Sequence, residues 1–491
     1  MCLGSCAVRA AVVTVNVVSA FDDDLEVDLT APDLASVRIG HLSDTHLGYE
    51  AYRTLSSRGE NQRSVDVARA FSKACDDLIE WDPPLVIHTG DLADRPIISV
   101  RLMLFARHRI TRLAGIRPDG TRRQVILLAG NHELSSHRQE ACFLELYNDI
   151  PGVQVVTDDA TIITFADAGG GAGCAAPELD AVSVTCIPHD TLKDLKHDDR
   201  FDDIAPLPNR INILAAHGVA GGSGLYKRVM GREYEIPTDV LARPWAYGAL
   251  GHWHRPGPIP ILSTGTKADR SSGRIWYAGS TENCGFGDVL DNEEKRGWLK
   301  VTAHQRGLPH VERSLVPTRS MFRLPVLDGT GMSPEQIGES LLARIRDAKS
   351  EGRLADAVVG QIVTGVPRDI WSLVDVAAVR DSALSALHYD VTVTPMPRAA
   401  DDERPATERI PGLADIAAVL VERAEVVLSD GERPSALAMS RELLGKTMTI
   451  TSDDDDDGAP ATDPAPDTDN AADTPAVAVA DGAATEASEA A

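Results

Sequence analysis

Residues 37–46 read VRIGHLSDTH, and this stretch decides which fold the chain can adopt. A short apolar segment runs directly into a polar turn that contains Asp44 and His46. The same succession returns in LVIHTGD at 85–91 and in VILLAGNHE at 125–133. Short apolar strands that are separated by helical segments predict βαβ units, and therefore an α/β fold whose sheet is buried on both faces.

The spacing of apolar residues places the other elements. Periodicity near 3.6 predicts helices over 63–81 and 97–113. Further strands are predicted at 153–156, 182–187, 211–215 and 275–277. Open α/β folds bind ligands beyond the carboxyl ends of their strands, so the polar residues that follow these strands are the candidates for a functional site.

Five short motifs carry metal-ligand chemistry and follow predicted strands or stand in short loops. Two divalent cations about 3.5–4 Å apart need roughly this many nitrogen and oxygen ligands, with one carboxylate shared between them. Asp91 is the candidate bridge, because Gly90 allows the backbone to turn tightly before it. A set without thiolate favours Mn²⁺, Fe²⁺ or Zn²⁺ over a structural zinc. The motifs are Asp44-x-His46, Gly90-Asp91, Gly130-Asn131-His132, His217-Gly218 and Gly251-His252-Trp253-His254.

Composition excludes several classes of protein. Of the 491 residues, 43% are apolar and 25% are charged, as in globular proteins with a large core. No apolar run reaches the roughly 18 uncharged residues of a membrane span. The seven cysteines form no CxxC pair, which disfavours a disulfide framework and predicts a cytoplasmic protein. The net charge of −26 argues against binding nucleic acid through overall charge, although it leaves a local basic groove open.

The motifs in this order resemble those of the calcineurin-like metallophosphoesterases, and more specifically those of SbcD-type DNA repair nucleases. The resemblance implies a two-sheet αββα sandwich with a binuclear metal centre and a smaller α+β capping domain. It covers roughly residues 37–400 and is carried by HLSDTHLG (41–48), GDL (90–92), GNHE (130–133), ALGHWH (249–254), AGSTE (278–282) and IVTGVPR (362–368).

Matched motif by motif, the resemblance also implies roles for individual residues. Asp44, His46, Asp91 and His254 would hold one ion, and Asp91, Asn131, His217 and His252 the other. Mn²⁺ is the favoured metal. His132 would contact the scissile phosphate and protonate the leaving oxygen, which suits an imidazole near neutral pH. Asp94 stands where some family members have histidine, a difference that bears on exonuclease polarity.

The chain divides into six predicted segments. An N-terminal extension (1–36) precedes the metallophosphoesterase domain (37–315) and the capping domain (316–396). A linker (397–412) leads to a helical partner-binding segment (413–446). The tail (451–491) holds twelve acidic residues and no Lys or Arg, and its composition predicts disorder.

The favoured function is a Mn²⁺-dependent DNA exonuclease or endonuclease subunit in DNA repair. Its implied partners are DNA, an SbcC-type SMC-like ATPase and a second copy in a homodimer, with no membrane involved. The apolar face of the segment 413–446 could dock on the ATPase or pack back on the cap. A small-molecule phosphodiesterase or phosphatase of the same superfamily, and a non-catalytic DNA-end-binding scaffold, remain alternatives.

Several residues outside the motifs admit two interpretations. His41 and His88 lie in apolar strands and are expected to be packed or hydrogen-bonded. His137 and His189 could contact substrate or lie at the surface. Cys284 is expected to be a loop residue. Arg53, Arg58 and Arg63 follow the first metal loop and could contact a phosphate backbone or face solvent.

Overall fold

The computed structural model describes residues 35–133, 142–165, 173–197, 200–222, 234–259, 273–288 and 295–395. Nearly all of the predicted N-terminal extension lies outside the described residues. The predicted linker, partner-binding helices and acidic tail lie entirely outside them. Within the described residues, no helix is both long enough and apolar enough to cross a bilayer.

The first sheet carries the strands that precede the first three motifs. Its strand order is β14-β13-β1-β2-β3-β4. β1 to β4 run parallel, and β13 pairs antiparallel with β1, so the three motif-bearing strands end at the same edge. The bounds are β1 (Ser36–Leu42), β2 (Leu85–His88), β3 (Gln124–Leu128), β4 (Val153–Val156), β13 (Gly297–His304) and β14 (His310–Leu315).

The second sheet carries the strands that precede the remaining motifs. Its order is β11-β12-β10-β7-β6-β5, and β6, β7, β10 and β12 are parallel. A separate parallel pair joins β8 (Val219–Ala220) to β9 (Glu235–Ile236). The bounds are β5 (Thr161–Thr164), β6 (Val182–Ile187), β7 (Ile211–His217), β10 (Tyr247–Gly251), β11 (Gly257–Pro258) and β12 (Ile275–Tyr277).

Three apolar clusters hold the two sheets and four helices in four layers. One cluster lies between the sheets and joins residues such as Ile39 and Ile126 to Val184 and Ala249. The outer face of the first sheet packs on α1 (Gln62–Trp81) and α2 (Val100–Leu113). The outer face of the second packs on α3 (His189–His197) and α4 (Thr238–Leu241). The predicted αββα sandwich is therefore confirmed.

A small third sheet follows the sandwich, and we call it with its helices the small-sheet unit (Met321–Pro395). β17 is central: β15 and β16 pair with one edge and β18 with the other, all parallel. The helices fill a separate core with this sheet. The bounds are β15 (Met321–Arg323), β16 (Leu327–Asp328), α5 (Pro334–Ser350), β17 (Val358–Val366), α6 (Arg368–Trp371), α7 (Val376–Ser382) and β18 (His388–Pro395).

Capping residues set two helix starts. α2 begins at Val100 rather than at Ile97, because the Ser99 hydroxyl accepts from the N–H of Leu102 at 3.3 Å. α5 begins at Pro334 as predicted, with Ser333 and Gln336 forming a capping box.

Candidate metal centre

The predicted site residues meet where the strands of both sheets end. Each of them is the last residue of a strand or lies in the loop after one. Asp44 and His46 follow β1, Asp91 follows β2, Asn131 and His132 follow β3, His217 ends β7, and His252 and His254 follow β10.

The backbone of these loops is unusual. Asp44, His46 and Asp91 have φ of 49°, 54° and 55°, and His252 has φ of 99°. Residues other than glycine rarely adopt positive φ. Those that do concentrate at functional sites, where the surrounding structure enforces the conformation. Here the loops after β1 and β2 hold each other, since the N–H of His46 donates to the Asp91 carbonyl at 3.0 Å.

Gly90 is required by a close approach as well as by its backbone conformation. Its φ is 98°, and a Cβ at this position would lie 2.2 Å from Nδ1 of His217. A side chain would therefore displace a histidine of the site. The prediction that Gly90 permits a tight turn before Asp91 is confirmed.

We call His46, Asp91 and His254 the first cluster. Nε2 of His46 lies 3.0 Å from Nε2 of His254 and 3.9 Å from Oδ2 of Asp91. Two ligand atoms bound at right angles to one cation, each about 2.1 Å from it, are about 3.0 Å apart. The spacing of the two imidazoles fits a shared cation.

We call Asp91, Asn131, His217 and His252 the second cluster. Oδ1 of Asn131 lies 3.0 Å from Nε2 of His217 and 3.0 Å from Nδ1 of His252. Nε2 of His217 is 3.4 Å from Oδ2 of Asp91. The same carboxylate oxygen thus faces both clusters, which is the arrangement expected of a bridging ligand.

Asp44 is completely buried, and its carboxylate accepts from the N–H of His252 at 2.9 Å and 3.2 Å. Burial raises the pKa of Asp44 and the charge of Asp91 raises it further, whereas His217 and His254 act in the opposite direction. The structure thus places Asp44 in the same electrostatic environment as both clusters.

Outer hydrogen bonds fix the orientation of two imidazoles. Nδ1 of His217 donates to the carbonyl of Thr89 at 2.7 Å, so Nε2 faces the second cluster. Nδ1 of His254 lies 2.9 Å from Oδ1 of Asp288, so Nε2 faces His46. A carboxylate or carbonyl behind a histidine is the usual way to orient a metal-binding imidazole and to raise its basicity.

The charges of the site favour a bound cation. Burial opposes protonation of His217, but Asp91 outweighs it and raises the histidine pKa to about 9. Asp288 raises the pKa of His254 to about 9 in the same way. Without a proton or a cation, the Nε2 lone pair of His217 would face an acceptor oxygen of Asn131. The residues therefore fit divalent cations.

His132 is held between the two loops without being enclosed. Its N–H donates to Oδ1 of Asp91 at 3.0 Å, and its Nδ1 donates to the Asp94 carbonyl at 2.7 Å. Its ring meets that of His46 edge to face with centroids 4.7 Å apart. The second ring nitrogen remains available for chemistry beside the first cluster.

Two residues of the site, Glu133 and Asp288, were not predicted from the sequence, although Glu133 belongs to the GNHE motif. Glu133 is buried, and its carboxylate accepts from the N–H groups of Asp91, Ala93 and Gly130 at 2.9, 2.7 and 2.8 Å. Glu133 directly follows His132 in this motif, and that position was a usable signal for it. Asp288 lies six residues after the AGSTE motif and belongs to none of the motifs.

The histidines with two interpretations divide between core and rim. His41 and His88 are buried and hydrogen-bonded as expected, to Tyr247 and Thr45 among others. The ring of His189 lies 6.0 Å from that of His217, beside the second cluster. His137 lies outside the described residues.

The arginines and the cysteine with two interpretations also differ in where they lie. Arg53 and Arg58 are exposed, but Arg63 is completely buried and ion-paired, so both interpretations of Arg63 were wrong. The sequence shows Asp66 three residues along the helix, but it does not show Glu282, which lies 219 residues away. Burial keeps the pKa of the Cys284 thiol well above its usual range, which fits a loop residue rather than a nucleophile.

Comparison with known families agrees with this geometry. Residues 37–256 match the calcineurin-like phosphoesterase family. The matched residues are fewer than half of the chain, and over them the chain is similar to a calcineurin-like phosphoesterase domain. The match spans the loops of both clusters, and the phosphoesterase domain implies divalent metal ions.

Curated relatives extend the similarity beyond this phosphoesterase domain. The DNA double-strand break repair protein Mre11 of Sulfurisphaera tokodaii is 27% identical over 271 residues, covering 54% of this chain and 58% of that protein. Mre11 of Methanosarcina acetivorans is 23% identical over 304 residues, covering 61% and 42%. Mre11 of Haloferax volcanii is 25% identical over 358 residues, covering 71% and 66%. All three alignments thus span less than two thirds of the relative.

Proposed function

We propose that the chain is the nuclease subunit of a DNA repair complex and that it hydrolyses phosphodiester bonds with two divalent cations. One observation carries the proposal: Oδ2 of Asp91 faces both clusters, 3.9 Å from Nε2 of His46 and 3.4 Å from Nε2 of His217. The similarity to proteins described as acting in double-strand break repair supports DNA as the substrate.

The residues divide between two cations, for which we propose Mn²⁺. Oxygen and imidazole donors suit this metal, and burial raises the pKa of the Cys284 thiol, which lies beside His46 and His254, so that no thiolate competes. When bound, the cations supply Lewis acidity, which lowers the pKa of water and neutralises charge on a phosphoryl group. Asp44, His46, Asp91 and His254 would hold one cation, and Asp91, Asn131, His217 and His252 the other.

We propose that His132 protonates the leaving oxygen. The Asp94 carbonyl accepts from Nδ1, which fixes the ring and leaves Nε2 to deliver a proton. Asp94 makes this contact through its backbone carbonyl, so a histidine at the same position could make it too. The contact therefore gives no reason to expect that aspartate at position 94 abolishes activity.

The nuclease assay uses the full-length chain, Mn²⁺ and end-labelled linear duplex. His132→Ala should lower the degradation rate by at least about 100-fold, because general acid catalysis contributes roughly 10²–10⁴-fold, while Mn²⁺ binding is retained. His108→Ala is the matched control, since His108 is an exposed residue of α2. Equal rates for the wild type and His132→Ala would contradict the assignment.

A small-molecule phosphodiesterase is the second candidate. The net charge of −26 favours a small substrate over a large polyanion. The same assay separates the two functions. Hydrolysis of bis(p-nitrophenyl) phosphate without degradation of duplex DNA would support the second candidate. Mn²⁺-independent DNA-end binding without hydrolysis would support the scaffold alternative.

We further propose that the small-sheet unit belongs to a capping domain at 316–396 and that residues 413–446 dock on an SbcC-type ATPase in the cytoplasm. The test is co-purification with that ATPase. A chain truncated after Arg398 should lose the partner, and full retention would contradict the docking proposal.

A homodimer is proposed as well, and one exposed apolar stripe offers a surface for it. Val100 and Leu104 lie one turn apart in α2, and Ile97 lies three residues before the helix; they have 70%, 61% and 74% of their surface exposed. A two-fold dimer would cover the same stripe on both copies. Leu104→Glu should therefore shift a dimer to monomer in sedimentation velocity, and an unchanged dimer would exclude this surface.

A further inference from the structure

A one-turn helix connects the first cluster to the small-sheet unit. This turn, Phe286–Asp288, carries Asp288 at one end and Phe286 at the other. Asp288 contacts the site, and Phe286 contacts the small sheet. The two contacts lie only two residues apart, so one cannot move far without the other.

The site end of the turn is tightly held. Oδ1 of Asp288 lies 2.9 Å from Nδ1 of His254, while Oδ2 accepts from the N–H of Cys284 at 2.7 Å. Arg296 is completely buried, and its guanidinium donates to the carbonyls of both His254 and Asp288. Its Nε donates to Oδ1 of Asn283 at 2.7 Å. The position of the turn therefore sets the orientation of the His254 ring.

The other end of the turn packs into the small sheet. A Cβ on Gly360, in the central strand β17, would lie 3.0 Å from two carbons of the Phe286 ring. Gly360 has no positive φ, so the close approach of this ring, rather than backbone conformation, favours glycine there. The Arg323 guanidinium lies 5.3 Å from the ring centre. Met321 and Val358 are buried beneath the same contact.

We propose that Phe286 and Asp288 couple the seating of the small-sheet unit to cation binding at the first cluster. Displacement of the sheet would move Phe286, rotate the turn and draw Asp288 from His254. The imidazole would then lose its orientation and part of its basicity. Asp288 is thus a positioning residue, and Phe286 is the residue through which the sheet acts. The proposal rests on cation binding by His254 and not on which phosphodiester is cut.

The test measures Mn²⁺ affinity of the full-length chain, using electron paramagnetic resonance to count free Mn²⁺ during a titration. Asp288→Asn should weaken one of two Mn²⁺ sites by about 10–100-fold, the usual loss when the group behind a metal ligand is changed. Phe286→Ala should weaken the same site measurably, by up to about 10-fold. Gly338→Ala is the control, because a Cβ at Gly338 in α5 meets nothing within 4 Å.

The double variant Phe286→Ala/Asp288→Asn decides whether the two residues act as one unit. If the turn transmits the effect, the double variant binds Mn²⁺ as Asp288→Asn does, because the contact that Phe286 controls is already weakened. Multiplied losses, or a Phe286→Ala affinity equal to the wild type, would overturn the proposal. Should Phe286→Ala fail to fold, Gly360→Ala presses on the same ring and should weaken the same site.

The nuclease proposal can fail separately. A wild type that binds two Mn²⁺ ions but degrades no DNA would contradict the proposed substrate and leave the coupling intact. A wild type that binds no Mn²⁺ would overturn both.

Discussion

Glu133 joins the loop that contains Asp91 to the loop that contains Asn131. Its carboxylate accepts one N–H from Asp91, one from Ala93 and one from Gly130. Burial and the charge of Asp91 raise the pKa of Glu133 to about 7, while the backbone donors oppose the shift. A buried carboxylate beside another is costly, so these three hydrogen bonds are what keeps it in place.

Glu133→Gln should destabilise the fold and weaken cation binding. An amide can accept through only one of its two ends, so at least one backbone donor loses its acceptor, which costs about 1–3 kcal/mol. Urea denaturation in EDTA measures the stability, and a Mn²⁺ titration measures the affinity. Glu80→Gln, at an exposed position of α1, is the control. Equal denaturation midpoints for the two variants would refute this role for Glu133.

Motif residues were predictable from the sequence, whereas the residues that position them were not. Each predicted site residue ends an apolar strand or lies in the loop after one, so strand prediction alone placed Asp91 and His217 at the carboxyl ends of strands. Asp288 reaches His254 from a turn 34 residues later along the chain. Only the folded backbone shows that proximity, because no periodicity links the two positions.

At the level of elements, a buried ion network ties α1 to the chain segment that leads into the small sheet. Arg63 donates to Asp66 at 2.7 Å and lies 3.3 Å from Glu282. Arg319 donates to the same aspartate through two nitrogens. Burial raises the pKa of Glu282, although Arg63 acts to lower it. The network therefore replaces the phosphate-binding role that the sequence suggested for Arg63.

Arg63→Met should cost about 3–5 kcal/mol, because it removes the cation beside a carboxylate with 1% exposure. The double variant Arg63→Met/Glu282→Gln should recover part of the loss, since it leaves no unpaired buried charge. Chemical denaturation of the four chains closes the cycle.

Arg69→Met provides the reference for that cycle, as Arg69 lies on the exposed face of the same helix. Its expected effect is within about 0.5 kcal/mol. A loss in Arg63→Met no larger than this, or strictly additive losses in the double variant, would show that the network contributes no stability.

The helices and strands differed in how well the sequence predicted them. α1 was predicted to within one residue at its start, because five apolar residues recur along one face. The hairpin of β13 and β14 was not predicted, although residues 298–303 alternate between Trp298, Lys300 and Thr302 on one side and Leu299, Val301 and Ala303 on the other. β13 pairs antiparallel with β1, and about 260 residues separate the two strands in the sequence. The local alternation therefore does not show which strand β13 pairs with.

For the molecule as a whole, His41 links the two sheets. It lies in β1 of the first sheet, and its Nδ1 is 2.7 Å from the hydroxyl of Tyr247 in β10 of the second. Its Nε2 lies 3.1 Å from the Thr89 hydroxyl. Burial and the neighbouring His88 lower the pKa of His41 to about 3, so the ring is neutral in the folded chain.

This neutral histidine makes the sandwich sensitive to acid. Its pKa is about 6.5 in the unfolded chain and about 3 in the fold, so its contribution is complete above pH 6.5 and is lost as the pH falls toward 3. At pH 5 the loss amounts to about 2 kcal/mol, at 1.36 kcal/mol for each pKa unit. The free energy of unfolding in EDTA should therefore fall by about 2 kcal/mol less between pH 7.5 and pH 5 in His41→Gln than in the wild type.

The difference between the two pH values, rather than the stability at either, isolates the effect of His41. A hydrogen bond to Tyr247 or Thr89 that glutamine does not make lowers stability equally at both pH values and cancels in the comparison. His108→Gln, at an exposed position of α2, should retain the full acid dependence of the wild type. If His41→Gln loses as much stability in acid as His108→Gln does, the charge of His41 does not control the acid response, and the junction between the sheets tolerates a proton.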